Sequence, residues 1–514
     1  MKSLTILAMT TALFGAPAMA QDTSYRIVEE PITLDVHFHF RDKYVYSNDW
    51  PVEKAAAEAT GISLNGVASL ATTSSQDAFN LMIASGDLPD IVGGDRLKDK
   101  FNLYGQQGAF LPLNDLIEEH APNIKAFFDD NPRLLQAITA ADGNLYYIPY
   151  IPDGVFGRGY FLRKDWLATL GLQEPETVEE LHAVLTAFRN NDPNGNGVKD
   201  EIPFFARESD ELLRLVTLWD ARSSGSDTPH DFYVDDGELR HGYADENYRT
   251  AIANLAKWYR EGLIDPEIFT RGARSREDLL SKNIGGMTHD WFASTATYND
   301  SLADVVPGFD FAAILPPASP SGRRIEEHRR IAVKPDGWAI SLSNEHPEET
   351  MEYFDFWFTD LGRRLSNFGV EGVHYDMVDG VPTYKPEILE ATAPVNAQMW
   401  AIGAQLPKGF HQDYGYESQW TNQKALDGIA LYEAGDYLVP DFLGVSLTEE
   451  EQAVYDRIWP STLTYMREMQ QAWILGSRDV EADWADYQSR LDRMGFKELM
   501  EVMNTAYVRQ YGAE

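Results

Sequence analysis

The chain has 514 residues, 44% hydrophobic and 12% aromatic, enough apolar material for at least two ordinary cores. Its 43 basic and 81 acidic residues give a formal charge of −38, which repels nucleic acid and anionic lipid and excludes a nucleic-acid-binding role, although a local group of arginines could still hold a small anion. The absence of cysteine excludes disulfides, a thiol nucleophile, cysteine-ligated zinc and a cysteine-linked lipid anchor.

The first twenty residues run from Lys2 through the apolar stretch Leu4 to Phe14 and end in Ala18-Met19-Ala20, the layout of a cleavable secretory signal with a mature start near Gln21. No later stretch approaches the roughly 18 uninterrupted apolar residues of a membrane span, so the expected product is exported and not membrane-inserted. Without a lipid tether, a diffusing exported protein stays near its membrane only inside an outer membrane, which favours a Gram-negative periplasm. Ile32 to Phe40 has strand character, Val52 to Ala59 and Gln76 to Ala84 read as helices, Ile62 to Leu70 alternates, and Asp90-Ile91-Val92 enters the Gly93-Gly94 turn. This is a βαβαβ start with a parallel sheet. Asp142-Gly143-Asn144 reads as a hairpin turn, and Pro149 and Pro152 bracket a crossing between lobes. Thr177 and Glu180 open a capped helix with Leu181, Val184, Leu185 and Phe188 on one face. Strands at Ile284 to Thr288 and Gly337 to Leu342, a helix from Trp291, and one long helix from Pro347 to Asn367 continue the pattern; after Thr448, capped with Glu451, the remainder is helical.

The helix after Thr177 leads into Asp192-Pro-Asn194-Gly-Asn196-Gly197-Val198-Lys199-Asp200-Glu201, where oxygen side chains stand at alternate positions around glycines. The run matches the first nine positions of an EF-hand loop: Asp192, Asn194, Asn196 and Asp200 would ligate calcium by side chain and Val198 by its carbonyl. Pro203 occupies the twelfth position, so Glu201 is the expected closing carboxylate. That departure points to a single structural ion; the alternative is an Asn/Gly-rich turn with no metal.

Several segments together resemble the extracellular solute-binding family of carbohydrate ABC importers, in particular its periplasmic alginate-oligosaccharide-binding members. They are Ala84-Ser85-Gly86-Asp87-Leu88-Pro89-Asp90, Leu162-Arg163-Lys164-Asp165-Trp166-Leu167, the Asp192 loop, Gly285-Gly286-Met287 and Phe368-Gly369-Val370-Glu371-Gly372-Val373-His374-Tyr375. The resemblance implies an α/β, two-lobed periplasmic binding protein fold with a ligand cleft between the lobes, a helical C-terminal region, and calcium at the matching loop. The expected division is a signal at 1–20, an N-terminal lobe of 21–152 plus about 287–345, and a C-terminal lobe of 153–286 plus 346–514 carrying the loop 192–201. Sugar rings stack their C–H faces on indole or phenol rings, while polar side chains bond the hydroxyl rim. Trp291 sits where the family places a stacking tryptophan; Trp400, Tyr414, Tyr416 and Trp420 are further candidates, each with a core-packing alternative.

His37 and His39 share one face of the first strand. One is expected to pack and the other, His39, to line the cleft, with a metal pair as the alternative. Glu371 is a candidate for a sugar hydroxyl or for fixing a turn. Arginines gather at Arg271, Arg274 and Arg276 and at Arg323, Arg324, Arg329 and Arg330, where they would favour a uronate such as alginate if they face the cleft and are otherwise solvated loops. A neutral plant or algal glycan is the second expectation. The implied partners are an oligosaccharide and an importer permease, the protein acting as a monomer and not as an enzyme. The rival readings are a secreted glycan-active hydrolase, against which stands the lack of a nucleophile-elbow, zincin or Ser-x-x-Lys signature, and a sugar-presenting partner of a chemoreceptor.

Overall fold

The computed structural model describes residues 25–223 and 232–512; the secretory segment expected at 1–20 lies outside them. Strand Ile32–Phe40 is the spine of the first sheet and pairs in parallel with Ile62–Gly66 and Ile91–Gly94. Helices Pro51–Thr60 and Ser75–Ser85 make the two crossovers. Proline in the first turn starts the first helix and Gly61, at φ 85°, stops it, while Ser74 caps the second by accepting from the Asp77 amide. Tyr44–Val45 pairs antiparallel with the end of Ile32–Phe40, and the other three strands of this seven-stranded sheet come from downstream: Gly337–Ile340 runs antiparallel between Ile91–Gly94 and Ile148–Ile151, and Phe410–His411 extends the edge.

The second sheet has the order Phe311–Ile314, Arg158–Arg163, Gly285–Trp291, Ile202–Phe204. Each sheet has its own apolar core, so the protein is two-lobed, and the chain passes between the lobes more than once. The expected boundaries shift accordingly. Residues 287 to about 331 belong to the second lobe, because Gly285–Trp291 and Phe311–Ile314 both pair with Arg158–Arg163. Residues 346 to about 420 belong to the first, because Met351, Phe354, Trp357, Phe368 and Tyr416 pack into its core.

Two local expectations also change. The long helix from Pro347 is two helices, Pro347–Phe356 and Asp360–Phe368, since Thr359 turns extended and caps a fresh start by accepting from the Gly362 amide. The Asp142 turn joins helix Pro132–Ile138 to strand Ile148–Ile151 and is not a hairpin. The C-terminal region is helical as expected, with Glu449–Ile474, Val480–Arg493 and Phe496–Tyr511 closing the second core, and Thr448 and Glu451 form both bonds of a capping box. Among the described residues, no helix is long and apolar enough to cross a membrane.

One buried ion pair anchors the downstream return to the first lobe. Lys408 Nζ lies 2.8 Å from Glu53 Oε1 and 2.9 Å from the centroid of the Trp357 ring, and Glu53 Oε2 also accepts from the hydroxyls of Tyr46 and Tyr353 at 3.0 and 3.1 Å. The side chains of Lys408 and Glu53 are 2% and 3% exposed. Burial outweighs the attraction of Glu53 and lowers the lysine to about 8.

Candidate ligand cleft and calcium loop

A cavity of about 1110 Å³ is lined by first-lobe residues such as Arg41, Asp95 and Asp336 and by second-lobe residues such as Arg158, Arg207 and Arg214. A smaller chamber of about 200 Å³ shares Arg41, Ile331 and Lys334 with it and is walled by Trp291, Trp400, Tyr416 and Trp420. Cationic and acidic side chains are nearly equal in number along the large cavity, in a chain with almost twice as many acids as bases. The cleft is therefore electropositive relative to the rest of the molecule.

Arg41 follows the C-terminal end of strand Ile32–Phe40, the end where open α/β sheets take ligands. It is fixed by a turn in which Arg41 and Asp42 both adopt left-handed backbone, at φ 51° and 58°. The Arg41 amide donates to Asp95 Oδ1 at 3.1 Å, and the Ser75 amide to Asp42 Oδ1 at 2.8 Å. The guanidinium then lies 4.0 Å from the Trp400 ring centroid. The second lobe repeats the arrangement: Arg158 and Trp291 are register partners on adjacent strands, and the guanidinium lies 4.1 Å from the indole. Further in, Glu211 draws together Arg207 at 2.7 Å and Arg214 at 3.1 Å, with Arg207 also 3.1 Å from fully buried Asp290.

Of the residues singled out from sequence, Trp291, Trp400, Tyr416 and Trp420 come together in the small chamber. Tyr414 stands beside it without lining it, its ring 5.7 Å from the Arg330 guanidinium. His39 is packed at 2% exposure, its ring nitrogens bonded to Ser75 Oγ at 2.9 Å and the Thr72 carbonyl at 3.0 Å, so it does not line the cleft. His37 is packed as well, lowered to about 4 by burial and by His39. Glu371 is exposed in a turn away from both cavities. The arginine islands largely dissolve into local pairs, Arg271 with Asp265, Arg276 with Asp290, Arg324 with Glu176 and Arg329 with Asp441. Of these arginines, Arg330, held by Glu417 and by Gln412 at 3.1 Å, lines the small chamber. Sequence reasoning missed Arg41, Arg158, Arg207 and Arg214; the position of Arg41 at the end of the first strand was the available signal.

The loop 192–201 joins helix Val178–Asn190 to strand Ile202–Phe204 in the second lobe. Asp192, at φ 48°, accepts from the Asn196 and Gly197 amides at 3.0 and 2.9 Å, and Gly195 and Gly197 take φ 70° and 76°, which curls the chain around its own oxygens. Asn194 and Asn196 turn amide nitrogens toward Asp200 at 3.4 and 3.1 Å. Glu201 is 2% exposed, and neither carboxylate oxygen has a hydrogen-bond partner among the described residues. Burial and then the charges of Asp200 and Asp192 raise its carboxyl. A buried, unpartnered carboxylate beside two others, in an all-oxygen donor set, fits a calcium ion.

Comparison with known proteins agrees with this architecture. The chain is similar to the alginate-binding protein AlgQ2, solved without calcium ion, with 51% identity and TM-score 0.81 over 94% of this chain and 99% of that one. It is 26% identical to the fructooligosaccharide ABC transporter substrate-binding protein FusA of Streptococcus pneumoniae over 456 residues, 84% of this chain and 82% of FusA. An EF-hand mutant of S. pneumoniae FusA in complex with fructo-nystose shares the fold at 22% identity and TM-score 0.71, covering 94% of this chain and 100% of that one. A family model described as bacterial extracellular solute-binding protein matches residues 49–362, more than half of the sequence. The chain belongs to the bacterial extracellular solute-binding proteins.

Proposed function

We propose that this protein is the solute-binding component of a carbohydrate ABC importer and that it captures an acidic oligosaccharide of the alginate class between its lobes. The observation that carries the reading is the pairing of guanidinium with indole on both sides of the cleft, Arg41 with Trp400 and Arg158 with Trp291. The indoles offer faces for pyranose rings, and the arginines offer charge-assisted hydrogen bonds to uronate carboxylates, a combination a neutral glycan does not need. The 51% identity to AlgQ2 across nearly the whole chain supports the same ligand class.

In this reading ligand contacts both lobes only when they close, so binding shifts the open-to-closed equilibrium and the closed form is what the permease engages. The protein works as a monomer in the periplasm after removal of residues 1–20. Asp192, Asn194, Asn196, Asp200 and Glu201, with the Val198 carbonyl, hold a structural calcium ion, which offsets two of the three carboxylate charges and ties the end of helix Val178–Asn190 to strand Ile202–Phe204. The protein does not cleave its ligand.

The test is isothermal titration of the mature protein with oligo-alginate, oligogalacturonate and malto-oligosaccharides, together with chromatography of each glycan after incubation. Saturable binding of an oligo-uronate recovered intact is the expected result. Binding of neutral glycans alone would overturn the ligand class, and shorter products would overturn the binding-protein reading in favour of a hydrolase.

A further inference from the structure

His289, Glu326 and His328 form a buried cluster separate from the calcium loop. They are 1%, 1% and 4% exposed, and one nitrogen from each imidazole and one carboxylate oxygen lie within 4.8 Å of one another. Among the described residues this is the one group of three such ligands. We propose that it binds a divalent transition-metal ion of the zinc class. This inference does not depend on the identity of the sugar.

The cluster is built from rigid backbone. His289 lies within strand Gly285–Trp291, in register with Tyr160, whose ring meets the imidazole edge-on at 4.7 Å between centroids. Glu326 and His328 stand two apart on a segment held from both sides: the Glu326 amide donates to the Tyr437 carbonyl at 2.8 Å, and Phe156 bridges to Arg329. Such anchoring holds the three side chains together before any ion arrives.

The donor set selects the ion. Two imidazoles and one carboxylate are a zinc set, whereas calcium takes six to eight oxygens. His289 Nε2 lies 2.9 Å from Glu326 Oε2, and His328 Nδ1 lies 3.4 Å from Glu326 Oε1. Ligand atoms around a tetrahedral ion with bonds of roughly 2.0–2.1 Å are about 3.3 Å apart, so three ligand atoms that lie within 4.8 Å of one another must draw together to accept one. Arg214 donates to the His289 carbonyl at 3.1 Å and pairs with Glu211, leaving the two imidazoles as the groups bonded to the Glu326 side chain apart from the His328 amide. His328 lines the large cavity, which gives the ion an entry path and leaves its fourth position to water or to an oxygen of a cleft ligand.

The experiment uses the full mature protein, stripped with chelator, returned to saturating calcium so that the loop carboxylates are occupied, and titrated with Zn²⁺ and separately with Co²⁺. One equivalent of zinc at micromolar affinity, and a visible ligand-field band from one equivalent of tetrahedral cobalt, are expected. Glu326→Gln and His328→Asn should each weaken zinc by more than the 10–100-fold typical of outer-shell changes, while Asp192→Asn leaves it unchanged. Absence of saturable zinc binding and of the cobalt band in the unsubstituted protein would overturn the assignment even if a variant fails to fold. Equal affinity in Glu326→Gln and the parent would also overturn it, by placing the ion elsewhere.

Discussion

Replacing Lys408 with Met removes the cation from a pair whose side chains are 2% and 3% exposed and leaves Glu53 charged inside the first lobe. Breaking a buried pair from one side costs about 3–5 kcal/mol. The hydroxyls of Tyr46 and Tyr353 still donate to Glu53 at 3.0 and 3.1 Å, which places the expected loss at the lower end of that range, about 3 kcal/mol. For a lobe of this size that is a fall of about 6–12 °C in melting temperature. The assay is hydrogen exchange of the amides of strand Gly337–Ile340, which report opening of the first lobe. The double variant Lys408→Met/Glu53→Gln should recover to within about 1 kcal/mol of the parent, because the stranded charge is gone. The pH dependence has a definite sign. Folded Lys408 titrates at about 8 and an unfolded lysine near 10.4, so between these values the unfolded state binds more protons and the group's contribution to stability rises with pH; below about pH 8 it is flat. A Lys408→Met protein within 1 kcal/mol of the parent would refute this account of the pair.

Trp291→Ala and Trp400→Ala should each weaken oligo-uronate binding about tenfold or more by titration calorimetry, with unchanged circular dichroism; unchanged affinity would remove that ring from the ligand surface. Arg41→Gln should reduce affinity for an acidic oligosaccharide, flatten its salt dependence, and leave neutral-glycan binding alone. Glu201→Gln should reverse sign with the medium: more stable than the parent in chelator, where a buried uncompensated charge has been removed, and less stable in calcium, where the parent at a hundredfold excess over Kd gains about 2.7 kcal/mol. Thermal shifts of the same sign in both media would contradict a calcium-closing role for Glu201.

The features legible in the sequence were those with local causes. The parallel start was written in the alternation of Ile32 to Phe40 and the two short helices after it, and the loop at 192–201 in the spacing of its oxygens. The C-terminal helices announced themselves through the Thr448–Glu451 cap. What was not legible was pairing over long distance. Gly285–Trp291 and Gly337–Ile340 are both short buried strands, with little alternation to tell one from the other, yet they belong to different sheets. The chamber tryptophans could be named because few residue types offer a ring face to a sugar. The cleft arginines could not, because Arg41 and Arg158 differ from the paired Arg271 and Arg329 only in what the fold brings beside them.

The position of strand Gly337–Ile340 has a consequence for biosynthesis. It separates Ile91–Gly94 from Ile148–Ile151, so a nascent chain that has already emerged as far as residue 300 still lacks an inner strand of its first sheet. Translation therefore cannot be accompanied by stepwise completion of that lobe, and the contacts that close it are among the slowest to form. Under the export proposed above, such delayed closure would keep the polypeptide competent for passage as an extended thread and leave the final fold to be assembled on the far side.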